Sequence, residues 1–433
     1  MLATSTRVDG AAIDLQAQVN LLGRADNITS LFFLAREYVC IFVIVSCAIS
    51  FAELRGHWGL SFGWDVPVFI VAIVLVGGLQ HRLAGLGHEA AHYSLFRNKI
   101  ANDLMGDLFC MFPILTCVHL YRLFHFAHHE YTNDPEQDPD LVNLGLSKRI
   151  AEFPMPHLRF VLTNYLRWLT DPVSLLRYQW AYLYVNTFGK GNNVYMRRLP
   201  YGDAHMWRLR TGTLLGLVLL VGYAALTWLL TRSGLASWLL VAAFSAFAAA
   251  GLTIRLIPES WLYRSPLRQP YSVRMASFVR ITFYVVVLTT LAYTGVLTDG
   301  RSALYTFWLW LVPLGTSFTY FMLLRDVYQH TNADNGRFTN SRVFFPDYFT
   351  RWAIFVYGQD IHVTHHLYPV VPHYRLMKLH RLLQQTDAKY RAMVVECHGT
   401  FLRRGNHPTI LDVLSQPAPG DHKEAARMSP VGA

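Results

Sequence analysis

The stretch VPVFIVAIVLVGGLQHRLAGLGHEAAH, residues 66–92, decides the fold. Val66–Leu86 is apolar and long enough to cross a bilayer as a helix, which takes about 20 residues. Inside hydrocarbon no water reaches the backbone N–H and C=O groups, so a crossing segment must satisfy them internally, as a helix does. The crossing carries Gln80, His81 and Arg82 near its end and runs on into His88-Glu-Ala-Ala-His92. Imidazoles four residues apart share one helix face. The stretch reads as a membrane span that delivers two histidines to one point at the membrane surface.

Working outward, five more apolar runs qualify: Tyr38–Leu54, Gly212–Leu230, Leu235–Arg255, Ile281–Leu297 and Ala303–Leu324. The six spans form three hairpins, with short turns at Thr231–Gly234 and Thr298–Ser302. Leu108–Leu120 is apolar but too short to cross, and Pro113 interrupts it, so it reads as re-entrant or interfacial. Pro154–Gly189 mixes aromatic residues with Arg, as interfacial helices do. The expected fold is all-α and integral to the membrane, built from transmembrane helix hairpins.

Composition agrees. Of 433 residues 53% are hydrophobic and 15% charged, against about 25% charged in soluble domains. The net charge of +10 then points to basic loops and anionic headgroups, not to nucleic acid. Arg and Lys gather in 97–210, in the loop holding Arg255, Arg264, Arg268 and Arg274, and beyond Leu324. The opposite loops carry only Arg55, Arg232 and Arg301. The basic side is the cytoplasmic one, so both termini are expected inside, in what reads as a bacterial inner membrane. The first 30 residues carry Arg7, Asp9, Asp14, Arg24 and Asp26 and lack the apolar core of a secretory signal. Cys40, Cys47, Cys110, Cys117 and Cys397 are odd in number and without CxxC spacing, so they read as free thiols. Residues 1–36 are expected to form a cytoplasmic segment, 37–415 one membrane domain, and 416–433 a disordered tail.

The 19 histidines carry the chemistry. His88 and His92 follow span two; His125-Phe-Ala-His128-His129 follows the short apolar stretch; His362-Val-Thr-His365-His366 follows span six, with His330 just past that span. Positions i, i+3 and i+4 share a helix face, and an even number of crossings separates the boxes, so all emerge on one side and can converge. His57, His157, His205, His398, His407 and His422 read as ordinary surface residues. His81, His119, His373 and His380 read as neighbours of the boxes and not as ligands. Nine imidazoles exceed the three or four that one zinc takes, which implies two metals. Imidazole suits iron, zinc, copper or nickel; attack on unactivated C–H bonds beside apolar spans needs a redox metal and delivered electrons, which favours iron. Asp326 precedes His330 by four residues on the same face and reads either as the hydrogen-bond partner that fixes its ring or as a partner of Arg325 or of a headgroup-level Arg that merely ends the span.

The order HxxxH, HxxHH, HxxHH resembles the membrane fatty acid desaturase superfamily, which includes acyl-lipid desaturases, sphingolipid desaturases and carotenoid ketolases. Three patches sharpen the likeness: His88-Glu-Ala-Ala-His92-Tyr-Ser-Leu-Phe-Arg97; Trp310-Leu-Val-Pro313 through Leu324-Arg325 to His330; and His365-His366-Leu-Tyr-Pro369-Val-Val-Pro372-His-Tyr374. The resemblance implies a cytoplasmic histidine-rich di-iron cap in which His88, His92, His125, His128, His129, His330, His362, His365 and His366 hold two Fe ions. It also implies O2 as co-substrate, a lipid acyl chain as substrate, and an external electron donor, a ferredoxin or b-type cytochrome. The chain departs from the pattern at Gln329, where the family often has Glu, and in spans three and four, which look like an added hairpin. Box one has a shorter gap than acyl-CoA desaturases have, box three starts with His362 in place of the Gln of front-end desaturases, and no fused b-type cytochrome is seen.

Within the family, hydroxylation or ketolation is the alternative outcome. Outside it, HEAAH also fits an intramembrane zinc metalloprotease with Glu89 as base, but that leaves seven clustered histidines unexplained and lacks an intramembrane Asp ligand. A heme or metal carrier would place paired histidines on facing spans, and these boxes lie beyond the span ends.

Overall fold

The computed structural model describes residues 6–8, 11–146, 151–188, 194–197, 202–262, 267, 269–403 and 405–416. The tail expected to be disordered lies outside them except for Gln416, as do the basic-loop positions Lys148 and Lys190. The helices are α1 (Leu15–Leu22), α2 (Thr29–Leu54), α3 (Asp65–Ala91), α4 (Lys99–Gly106), α5 (Val118–Glu130), α6 (Pro172–Phe188), α7 (Gly202–Arg232), α8 (Leu239–Leu256), α9 (Val273–Leu297), α10 (Ser317–His330), α11 (His362–Leu367) and α12 (His373–Thr386), joined by shorter turns. Among the described residues strand structure is confined to two small pairs, Thr6–Val8 antiparallel to Ala11–Ile13 and Val343–Phe345 parallel to Glu396–His398. The protein is an all-α, multi-pass membrane protein.

Six helices are long and apolar enough to cross: Thr29–Trp58, Phe62–Ala91, Gly212–Arg232, Ala236–Leu256, Val273–Leu297 and Arg301–His330. Each expected span falls within one of them, Leu235 alone lying just outside. The helices outrun the apolar runs because polar residues near a span end still propagate the helix. The first begins at Thr29, inside the segment expected to precede the membrane domain. Lys99–Ile114 and Val118–Glu130 meet at 88°, with the apex at Leu115, whose φ is 66°. The stretch read as re-entrant or interfacial is the corner of this bent pair.

Outward faces present residues such as Phe42, Leu240 and Phe244, which dissolve in lipid. Inward faces pack closely. A Cβ at Gly77 would stand 2.7 Å from the backbone nitrogen of Phe318, and one at Gly87 would stand 2.6 Å from the Met111 side chain. Glycine at both positions lets α3 lie against α10 and against the bent segment.

Charged groups in this interior are paired, as membrane interiors demand. Glu37 on α2 accepts from Arg82 on α3 at 2.8 Å, and Tyr357 donates to the same carboxylate. Arg122, a fully buried α5 side chain, binds Asp103 on α4 at 2.6 Å. It also donates to the carbonyls of Ala90 and Ala91 at the end of α3, where the helix dipole favours a cation. One guanidinium thus ties together the ends of three helices, including the two that carry the first two histidine boxes. Breaking a buried pair by removing one partner costs about 3–5 kcal/mol. Asp103→Asn is therefore expected to lower the thermal midpoint of the purified protein sharply, whereas Glu136→Gln, on an exposed turn, leaves it in place; a scanning-fluorimetry comparison checks this.

Candidate metal centre

The last turn of α3 carries His88, and its cap carries His92. Tyr93 follows with φ of 57° and turns the chain away. Helix α5 presents His125, His128 and His129 from its second half. His330 is the last residue of α10, and the single-turn helix α11 holds His362, His365 and His366. All nine converge and sort into two groups. The ligand nitrogens of His88, His92, His125, His129 and His365 lie within 4.8 Å of one another, as do those of His128, His330, His362 and His366.

The Nε2 atoms face inward. In the first group His92–His125 and His125–His129 stand 2.9 Å apart and His129–His365 3.2 Å. In the second His330–His362 stand 2.9 Å apart and His362–His366 3.1 Å. An ion about 2.1 Å from each of two nitrogens at a right angle would hold them about 3.0 Å apart. The outer nitrogens fix the tautomers. His128 Nδ1 donates to Asp138 at 2.9 Å, His330 Nδ1 donates to the Asn340 carbonyl at 3.2 Å, and His366 Nδ1 lies 3.1 Å from the Thr132 hydroxyl. With the proton on Nδ1, the Nε2 of His128 and of His330 each offer a lone pair to the centre. Neither nitrogen of buried His88 has a hydrogen-bond partner among the described residues. Burial also holds His92, His362, His365 and His366 well below the usual histidine range, which keeps them neutral, the form that ligates metal. His128 is the exception: burial disfavours its charge, but Asp138 and Asp140 outweigh burial and push its pKa up to about 9, so an ion there would take the place of its Nε2 proton. Two clusters of converging ring nitrogens, eight of the nine histidines neutral, fit two transition-metal ions.

Each HxxHH box is divided between the cages, whereas His88 and His92 stay together in the first. In HxxHH the i and i+4 histidines share one group and the i+3 histidine joins the other: His125 and His129 against His128, then His362 and His366 against His365. Neither composition nor spacing announced this division.

Asp326 is not the partner of His330. Its carboxylate is taken by Arg325 at 2.7 Å and by the Tyr178 hydroxyl, and His330 turns instead to the chain that follows it, at Asn340. The pairing with Arg325 is the alternative that the sequence left open; the spacing gave no sign of Tyr178. Asp326 and Arg325 do wall a small cavity beside the histidines, together with Tyr121, Tyr178 and Tyr182.

The sequence reading missed Asp138, whose only signal was the acidic run that follows box two, and it gave Glu89 a role only as a protease base. Glu89 instead accepts from the backbone N–H of His373 at 2.9 Å and from Ser94 at 3.1 Å, with its other oxygen 3.8 Å from His88 Nδ1. His398 and His407, read as surface residues, stack in a separate trio with Glu396.

The sequence model of the fatty acid desaturase family matches residues 62–261 and 249–398, which takes in every one of the nine histidines. Dihydrorhizobitoxine desaturase of Bradyrhizobium elkanii is 35% identical over 119 residues, 27% of this chain and 30% of that protein. The sn-1 acyl-lipid omega-3 desaturase (ferredoxin) of Nostoc is 26% identical over 219 residues, 50% of this chain and 54% of its own length. The sn-1 oleoyl-lipid 12-desaturase of Anabaena variabilis is 31% identical over 85 residues, 19% and 23% of the two chains. The aligned stretches thus span from under a quarter to about half of these relatives.

Partners that fix a ligating imidazole typically contribute 10–100-fold in metal affinity. Asp138→Asn should weaken bound transition metal by about that factor, while Asp326→Asn leaves metal stoichiometry unchanged; elemental analysis of the purified variants after graded chelation separates the two.

Proposed function

The chain belongs to the fatty acid desaturase family, and on that premise we propose that it is a membrane-bound, O2-dependent desaturase that introduces a double bond into a lipid acyl chain through a di-iron centre. The observation that carries this reading is the division of nine converging imidazoles into cages of five and four nitrogens. His88, His92, His125, His129 and His365 would hold one iron, and His128, His330, His362 and His366 the other. Bound iron would supply the one-electron and O2 chemistry that an unactivated chain requires.

The chain's own groups set the conditions. Asp138 and the Asn340 carbonyl accept from Nδ1 of His128 and His330, which leaves Nε2 of each ring as the atom that would hold an ion. Tyr121, Phe124 and Leu144 wall the adjacent cavity and limit water there. Asp326, neutralised by Arg325 and bound by Tyr178, brings no unpaired anion to the wall. In overall balance two hydrogens leave the chain, an external donor supplies two electrons, solvent supplies two protons, and O2 ends as two waters. The Nostoc relative is named for ferredoxin, and an acidic ferredoxin suits the basic face on which the histidines emerge. We place that face and both termini in the cytoplasm, in a bacterial inner membrane.

A second reading is favoured by the cavity itself. Three tyrosines and an Arg–Asp pair beside the histidines would suit a smaller, polar substrate, and the Bradyrhizobium relative is named for dihydrorhizobitoxine rather than for a lipid.

Expression in a host that lacks desaturases, followed by mass spectrometry of lipids and of small polar metabolites, distinguishes the readings. The proposal expects lipid acyl chains that have lost two hydrogens, and no such product from His365→Ala. Gain of an oxygen would indicate hydroxylation, and products confined to the polar fraction would favour the second reading. Tags at Gly59 and Gly234 are expected on the side opposite the N-terminus; a tag at Gly234 reporting the N-terminal side would refute the orientation.

A further inference from the structure

The described residues enclose a second, larger cavity of about 410 Å³ between α5, α6, α7, α8 and α9. It lies against a different part of α5 from the metal cages. His119 and Leu120 line it, whereas Tyr121, Phe124, His125 and His128 line the histidine pocket. Its volume falls in the range of about 300–1,000 Å³ typical of small-molecule sites. The lining is apolar along Gly216, Leu220, Ala250 and Ile281, and one cation, Arg280, borders it.

Arg280 sits seven residues into the helix that begins at Val273 and immediately before the apolar run Ile281–Leu297. A charge at the edge of such a run is costly when desolvated and calls for a partner. Its Nη1 reaches the Thr187 carbonyl at 3.3 Å and Cys117 Sγ at 3.9 Å, the Tyr284 hydroxyl is a further hydrogen-bond partner, and Asp107 acts on it only through the longer-range field. Among the described residues no carboxylate forms an ion pair with it. Asp107, the acidic group on the neighbouring bent segment, is engaged by the Val118 N–H at 2.7 Å and the Tyr271 hydroxyl at 3.1 Å.

We propose that this cavity binds a single-chain amphiphile with a carboxylate head, a free long-chain fatty acid: the carboxylate pairs with Arg280 and the alkyl chain lies along Gly216, Leu220, Ala250 and Ile281. A cavity of about 410 Å³ accommodates one alkyl chain, and a lone carboxylate is small enough to enter it beside the guanidinium. Two acyl chains would overfill the space. The site is independent of the metal reading, since it uses none of the nine histidines.

The test is binding of radiolabelled palmitate to the delipidated, detergent-purified full-length protein. Wild type is expected to bind it saturably. Arg280→Gln should bind about tenfold more weakly, the effect of removing one partner of a desolvated charge pair, and Arg280→Lys should recover part of the loss. Gly216→Phe should abolish binding, because a Cβ there meets nothing closer than 3.8 Å and a ring would fill the cavity. Palmitate methyl ester should bind wild type as weakly as palmitate binds Arg280→Gln. His365→Ala should bind palmitate like wild type, and unchanged metal content in Arg280→Gln and Gly216→Phe reports that both fold. Wild-type affinity in Arg280→Gln and Gly216→Phe overturns the proposal. So does loss of binding in His365→Ala, which would place palmitate at the histidines, and so does displacement of palmitate by a diacyl phosphatidylglycerol of equal affinity.

Discussion

Nitrogen lone pairs at van der Waals distance repel, and the centre of this protein is built from them. His330 Nε2 and His362 Nε2 stand 2.9 Å apart, and the Asn340 carbonyl requires the His330 proton to sit on the other nitrogen. Only a proton carried on His362 Nε2 or a cation between the two rings can relieve that contact. A cation can take that place only if the surrounding chain resists the expansion of the centre. Most of what is unusual in the rest of the structure supplies that resistance.

The resistance comes from helix ends and not from a sheet or a disulfide. All five cysteines are free. The glycine contact at Gly77 seats the middle of α3 on the start of α10, and from there the two helices run on to His88 and His330. Arg122 fastens the frayed end of α3 to α4 and α5 through Asp103 and two carbonyls. In water such a pair would contribute little. Desolvated, it cannot be broken without leaving a bare charge, and this is what makes it a structural joint. The Glu37–Arg82 pair does the same between the first two spans, and through Tyr357 it reaches the segment that leads to box three.

Helices whose evidence is local could be read directly. Apolar runs of span length give the six crossings, because lipid imposes a composition on every turn of a crossing helix. The three boxes were legible for the same reason: i, i+3 and i+4 are close in sequence and in space. What could not be read depends on contacts between distant segments. His330 finds Asn340 across a turn and not Asp326 on its own helix, because Tyr178 of α6 and the adjacent Arg325 claim that carboxylate first. Glu89 finds His373, 284 positions away. The 88° corner at Leu115 was legible only as an interruption, since Pro113 shows that a helix cannot continue but not where the chain goes next.

The division of the boxes follows from helix geometry once two centres are required. Successive residues on an α-helix turn by about 100°, so i and i+4 diverge by about 40° while i+3 and i+4 stand about 100° apart. The pair at i and i+4 can therefore close on one point, and the residue at i+3 points to the side of it. Where a single ion is served, as by His88 and His92, the spacing HxxxH suffices. An HxxHH box adds a histidine that its own ion cannot use well, and that histidine becomes useful when a second ion lies to the side. The two HxxHH boxes are used in opposite senses: box two gives its pair to the first cage and its odd member to the second, and box three does the reverse. Each cage is thereby closed by a residue from the box that mainly serves the other, so neither helix can shift without disturbing both. The second cage has no HxxxH box of its own, and His330 from the end of α10 is what takes that place, which accounts for four nitrogens there against five in the first.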